Sequence, residues 1–146
     1  MTYIATTYAN IRKGAFKNIR TTLVSNVTGV GTRVYGSYPL ANAVLPLVVI
    51  EGPNKEPVDE SNTIITDSSR SITVNITAYA KQMEQADTIA DQIESLIDSN
   101  QTVLQSYGLH FATNDPCVDV DSGVGEDVNG QRSHSRTIAV TFEIDR

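Results

Sequence analysis

The chain contains no tryptophan, a single cysteine and, over its first fifty residues, no acidic side chain. Each gap narrows what the protein does. The lone thiol, Cys117, closes no intramolecular disulfide, so the fold does not depend on an oxidising compartment. Aromatic residues make up 6% of the chain, too few for a platform on which single-stranded bases stack. No apolar run approaches the roughly 18 residues of a membrane-spanning helix, and no membrane association is expected. The opening residues Met1–Ala5 have neither the basic start nor the apolar core of a secretory signal.

What is present describes one globular unit. A chain of 146 residues with 40% hydrophobic and 19% charged side chains suits a single domain, and a domain of that size buries roughly 68–70% of its unfolded surface. No internal repeat is visible. The net charge of −6 conceals a division. Residues 1–50 carry Arg12, Lys13, Lys17, Arg20 and Arg33 and no acid, whereas residues 51–146 carry six bases against all 17 acids. One reading is two differently charged faces on a solvated surface. The other is that one face meets the opposite face of a neighbouring copy, a head-to-tail contact that closes into a ring if the rotation allows. Either way a general nucleic-acid binder, which needs a net basic footprint, is disfavoured.

The pattern of apolar residues gives the elements. Tyr8, Ile11, Ala15, Ile19 and Leu23 recur at helical spacing and predict an amphipathic helix over about residues 5–25, ending before the Gly29–Gly31 turn. Gly14 inside it costs about 1 kcal/mol relative to alanine, so it is either merely tolerated or marks a close approach to another backbone. Thr32–Tyr35 reads as a short strand, and Leu45–Ile50 as a buried strand that starts just after Pro46. Residues 51–69 are rich in Pro, Asn, Asp, Glu and Ser and are expected to form a hairpin or arm projecting from the body.

In Ser71–Tyr79, Ile72, Val74, Ile76 and Ala78 alternate with polar residues, the period of a strand with one buried and one wet face. From Glu84 the period changes: Ala86, Ile89, Ala90, Ile93, Leu96 and Ile97 form one stripe along a helix of about four turns. Leu109–Thr113 and Val118–Val120 suggest further strand, broken by a bend at Asp115–Pro116, and residues 121–135 a second polar loop. The last strand is Thr137–Asp145, with Ile138, Val140, Phe142 and Ile144 on one face and Thr137, Thr141, Glu143 and Asp145 on the other. The expected class is therefore α+β: a mostly antiparallel sheet of four to five strands, two helices packed on one face, and a long projecting arm, all in one domain spanning 1–146.

The candidate chemistry is thin. The carboxylates Asp115, Asp119, Asp121, Glu126 and Asp127 do not match a calcium loop, since counting from Asp119 puts Gly123 at the fifth position and Gly130 at the twelfth. Gly29–Arg33 lacks the Gly-Lys-Ser/Thr ending of a phosphate loop. His110 reads as an ordinary strand residue and His134 as part of a polar loop, and no spacing supports a Cys–His or Ser–His pair with Cys117 or a neighbouring serine. No catalytic residue, metal or cofactor is expected. Ile64 and Ile65, apolar residues within a polar segment, suit either a docking surface or a small local staple.

This succession resembles the tail terminator, or tail-completion, proteins of long-tailed bacterial viruses. The likeness lies in the basic first helix, Thr32–Tyr35, the proline-led Leu45–Ile50, the long polar segment, Ile72–Tyr79 running into Ala86–Ile93, and the final Ile138–Ile144 strand. The acidic, glycine-rich stretch 121–131 has no evident counterpart. The resemblance implies a non-enzymatic ring, hexameric in the lambda-type members. Such a ring caps the tail tube, stops its polymerisation and offers a docking face to the head connector or stopper, as part of a virion assembled in the host cytoplasm. On that basis the ring and partner contacts fall to Arg12, Lys13, Lys17 and Arg20 on the helix and to Pro53, Asn54, Asp59, Glu60, Ile64 and Ile65 on the arm. Glu143 and Asp145 would line a bore through which DNA slides without specific binding. The competing readings are a head-completion or stopper protein of the neck, a small-molecule-binding α+β dimer with an apolar cavity behind its sheet, and a hydrolase using His134.

Overall fold

The computed structural model of the protein describes residues 2–57, 69–111, 116–126 and 130–145. Among these, five strands form one sheet: β1 (Val34–Tyr35), β2 (Leu47–Pro57), β3 (Ser69–Ala80), β4 (Cys117–Glu126) and β5 (Arg132–Asp145), in the spatial order β1-β2-β3-β5-β4. Only β1 and β2 run parallel. The centre of the sheet is the antiparallel pair β3 and β5, in register from Ser69 opposite Asp145 to Ala80 opposite His134. Three helices accompany it: α1 (Ile11–Leu23), α2 (Met83–Ser99) and α3 (Gln101–Ser106). The α+β class and the mostly antiparallel sheet expected from the sequence are both observed.

The alternation in β3 and β5 decides which face is covered. Ile72, Val74 and Ile76 lie across from Phe142, Val140 and Ile138, all fully buried, and α1 and α2 close over them. α1 packs mainly on β2 and β1, and α2 on β5 and β3, so the helices lie side by side over opposite halves of the sheet. From α2, Ile89, Ile93 and Ile97 enter the same core as Ile19 and Leu23 of α1. Each such side chain contributes about 1.5–3 kcal/mol by leaving water.

α1 is shorter than the spacing predicts. Residues 8–10 form a single 3₁₀ turn capped by Thr7, whose hydroxyl accepts the Ala9 amide while Asn10 Oδ1 accepts the Thr7 amide at 2.7 Å. The α-helix starts at Ile11 because the preceding residues are drawn into an extended path along it. Asn18, fully buried in α1, accepts the Ile4 amide at 2.8 Å and donates to Ile4 O at 2.8 Å and Thr6 Oγ1 at 2.9 Å. The same segment is held from the other side by the Thr6 amide on Tyr107 O at 2.7 Å and by Tyr3 stacked on Tyr107. Gly14 is closely approached, but by a side chain and not by the backbone expected: a Cβ there would lie 2.5 Å from Thr6 Oγ1.

The chain departs from expectation in three further places. The helix α3 was not anticipated. The chain turns at Asn100, whose side-chain amide donates to Leu96 O, and Leu104 then carries the next turn into the core. Its exit needs a glycine, since Gly108 has φ +98° and a Cβ there would stand 2.3 Å from Thr6 O. Second, the strand expected over Leu109–Thr113 contributes one antiparallel bridge, His110 with Glu143, and residues 112–115 lie outside the described part.

Third, the polar loop expected over 121–135 is mostly strand. Gly123–Glu126 and Arg132–Ser135 pair with each other as the end of the β4–β5 hairpin, and Asp121 and Ser122 pair with Thr137 and Arg136. Glycine and acidic residues concealed this strand because β4 is an edge with little to bury, so its sequence has no apolar face to reveal it. The ladder has an irregularity between Asp119 and Asp121, where Val120 is the extra residue, and the bend expected at Asp115–Pro116 falls at the border of residues outside the described part.

The expected arm, 51–69, begins as an ordinary ladder. β2 continues to Pro57, paired with Arg70, across an irregularity between Glu51 and Asn54. Residues 58–68 lie outside the described part.

Candidate assembly surfaces

The face of the sheet away from the helices is divided. At one end, the loop between β1 and β2 folds back so that Leu45, Leu47 and Val49 form a second small cluster with Tyr35, Tyr38, Ala43 and Tyr79. The Tyr38 ring meets Tyr79 edge-on at 5.0 Å. Burial, and secondarily the charge of Glu51, push the Tyr79 phenol above its usual pKa by disfavouring the phenolate. The other end is a lattice of small polar groups. Thr77 and Thr137 hydrogen-bond through their hydroxyls at 2.8 Å, with Thr73 opposite Thr141 and Asn75 opposite Ala139. Glu143 stands there opposite Ser71, half-buried, and Asp145 ends β5 opposite Ser69.

The helical face is divided by charge. On α1, Lys13, Lys17 and Arg20 fall at i, i+4 and i+7, with Arg12 beside them. Arg12, Lys13 and Lys17 are exposed. Arg20 is a fastener, its Nε donating to Val34 O at 2.8 Å, and Arg33 is another, donating to Pro46 O at 3.0 Å and to Gly29 O. α2 carries Glu84, Asp87, Asp91, Glu94 and Asp98 and no basic residue. The basic helix and the acidic helix therefore cover opposite halves of one sheet.

The acidic half continues onto the sheet edge. Arg136 on β5 donates from Nε to Asp87 Oδ1 at 2.8 Å, an ion pair that fastens α2 to the sheet. That hydrogen bond first, and the charge of Asp87 next, raise the guanidinium pKa, with smaller pulls from Asp119 and Asp91. Asp87, Asp91, Asp119 and Arg136 thus line one cleft of about 240 Å³ with Ala90. On β4, Asp119, Asp121 and Glu126 are exposed, as are Val118, Val120 and Val124, at 60%, 56% and 55%. Three valines that open on a strand with a free edge mark a surface that a second molecule is able to cover.

Of the arm residues singled out from the sequence, Pro53 is buried at the irregularity in β2, and Asn54 pairs with Thr73 within the ladder. Asp59, Glu60, Ile64 and Ile65 lie outside the described residues. Sequence reasoning passed over the open edge of β4 and the unbroken acidic series on α2. The second was legible: no lysine or arginine interrupts residues 82–131.

The two histidines lie apart on the sheet. His134 belongs to β5, between Ala80 and Val124 on the flanking strands, and its Nδ1 is buried without a hydrogen-bond partner. Neither cross-strand neighbour has a side chain able to exchange a proton. His110 pairs through its backbone with Glu143. Among the described residues no group of three or more His, Cys, Asp or Glu is placed to hold a metal ion, and no helix is long and apolar enough to cross a membrane. The space behind the sheet is filled by the core itself. A shallow cleft of about 310 Å³ opens instead between Tyr38, Tyr79 and the β4–β5 hairpin, floored by Gly123 and Gly125.

The architecture among the described residues is thus a single mixed sheet with helices on one face. Neither a protein-family model nor a curated protein sequence matches the chain. Among solved structures, it is similar to a chain from the virion of a native gene transfer agent particle. The TM-score is 0.51 at 12% sequence identity, covering 94% of this chain and 99% of that one. At that identity the two share a fold.

Proposed function

We propose that the protein is a structural component of a phage-like virion and, within it, the ring that terminates the tail tube. The observation that carries the reading is the correspondence with a virion chain over nearly the full length of both molecules, with neither left with a sizeable unmatched domain. The charge division supports it. A subunit with a basic half and an acidic half suits repeated head-to-tail contact. The threonine-rich open face, with Glu143 on it, is the surface we assign to the bore, where negative charge lets DNA pass without adhering. The role is mechanical, requires no catalysis, and its other partners are the tail tube protein and the head connector or stopper.

The test is addition of purified protein to isolated tail tubes and, separately, to isolated heads. A terminator binds tube ends and halts their elongation before any head is present. Binding to heads alone would overturn the assignment in favour of a neck component. Because the β2–β3 ladder reaches Pro57 and Arg70, replacing residues 58–68 by a short glycine-serine turn leaves the described sheet intact. On this reading the shortened protein folds but no longer docks tails. Completion of infectious particles by it would remove the arm from the contact set.

A further inference from the structure

We infer that the open β4 edge, with the acidic flank behind it, is the seat for the basic α1 face of a second copy of this chain, so that copies join head to tail through these two surfaces. The inference rests on the assembly role proposed above and names the contact it uses. Three observations on the molecule lead to it.

First, β4 is an edge strand, and among the described residues no strand lies along its outer side over Val118–Glu126. On it stand Val118 and Val120, more than half exposed. Second, edge-to-edge pairing of identical copies there is disfavoured, because it would bring Asp119, Asp121 and Glu126 of both copies into one ribbon. The charges that disfavour the two-fold contact favour a partner surface of opposite sign. Third, the molecule carries that surface on its far side. The sheet order places β4 at one end and β1 at the other, and α1 lies over the β1–β2 end. There Arg12, Lys13 and Lys17 are exposed, on a helix with no acid. Lysine and arginine are also the donors that an edge strand's unpaired carbonyl groups accept. A contact between opposite ends of one molecule is heterologous and propagates until rotation closes it.

The experiment uses the full chain in two reversed forms, Lys13→Glu/Lys17→Glu and Asp121→Lys/Glu126→Lys, with sedimentation velocity as the readout. All four side chains are exposed, so the folded state should survive, and a thermal melt of each variant checks it. Wild-type protein is expected to self-associate at low salt. Association should weaken as salt is raised, since the screening length falls from about 10 Å at 0.1 M to about 3 Å at 1 M. Each variant alone should associate at least about tenfold more weakly. Mixed in equal amounts, the two variants should recover assembly, because the reversed helix of one meets the reversed edge of the other.

Self-association that ignores salt, variants that assemble like wild type, or a mixture that stays dissociated would each overturn the inference. So would a wild-type protein that remains monomeric up to about 1 mM at low salt. Should a variant fail to fold, the wild-type salt titration and the neutral pair Asp121→Asn/Glu126→Gln, expected to weaken assembly in the same direction, decide the question. Recovery in the mixture without arrest of tail tubes would retain this contact and discard the terminator role. Arrest of tubes by variants with intact assembly would do the reverse.

Discussion

Asn18 and Ile4 bind each other twice: the Ile4 amide donates to Asn18 Oδ1, and Asn18 Nδ2 donates to Ile4 O, both at 2.8 Å. A side-chain amide thereby serves the N-terminal segment as a neighbouring strand would, inside a helix that has no strand to offer. Asn18→Ala removes both bonds and the one to Thr6 from a fully buried site. Unmet buried polar groups cost about 1–3 kcal/mol each. A loss of about 2–4 kcal/mol is expected in chemical denaturation, along with faster hydrogen exchange at the Ile4 and Thr6 amides.

Gly14 lies against the same segment. Alanine at an exposed helix position gains about 1 kcal/mol over glycine. Here the added methyl would stand 2.5 Å from Thr6 Oγ1 and 2.9 Å from its Cγ2, and the hydroxyl is held by Asn18. Gly14→Ala should therefore destabilise, by about 1–3 kcal/mol as for other overpacked sites. Combining it with Thr6→Ala should give a smaller loss than the two single losses added together. A double-mutant cycle in urea measures that coupling, and strict additivity would contradict the contact.

Phe142 is the largest of the fully buried side chains, opposite Ile72 on β3 and packed edge-on against Phe111 at 4.9 Å. Phe142→Ala should cost about 3–5 kcal/mol. Phe142→Leu, which keeps most of the volume, should cost clearly less. Comparison of their urea midpoints at equal slope checks the order.

The raised pKa of Tyr79 sets an alkaline limit. Its folded value lies above the unfolded value of about 10, so its contribution to stability is complete below that pH. The contribution is lost as pH climbs from about 10 toward the folded pKa, because the unfolded chain gives up the proton first. Tyr79→Phe should melt with a shallower decline than wild type between about pH 9.5 and 11. Parallel curves for the two proteins would remove this account of the residue.

Much of the fold could be read before any coordinates, and the reason is burial. Where a strand or helix covers a core, its apolar period declares it: Ile72–Ala78, Ile138–Ile144 and Ala86–Ile97 lie where the pattern put them. The second half of β4, Asp121–Glu126, escaped because it is almost wholly exposed, so Gly123, Gly125 and two acids were free to occupy it. α3 escaped because a single buried residue, Leu104, anchors it, and one residue has no period. The charge division was legible as composition, but its spatial form was not. Only the packing of α1 on β1–β2 and α2 on β3–β5 turns a difference along the chain into a difference across the molecule.

That arrangement sets the exposed bases of α1 over β1–β2 and the acids of α2 and β4 toward the opposite edge of the sheet. If copies join as inferred above, two molecules drifting near each other at low ionic strength should exert a torque on one another and align nose to tail before they touch. Orientation is ordinarily the slow part of protein encounter. On the contact inferred above, part of it would be completed at a distance, and added salt should slow capture more than it hastens release.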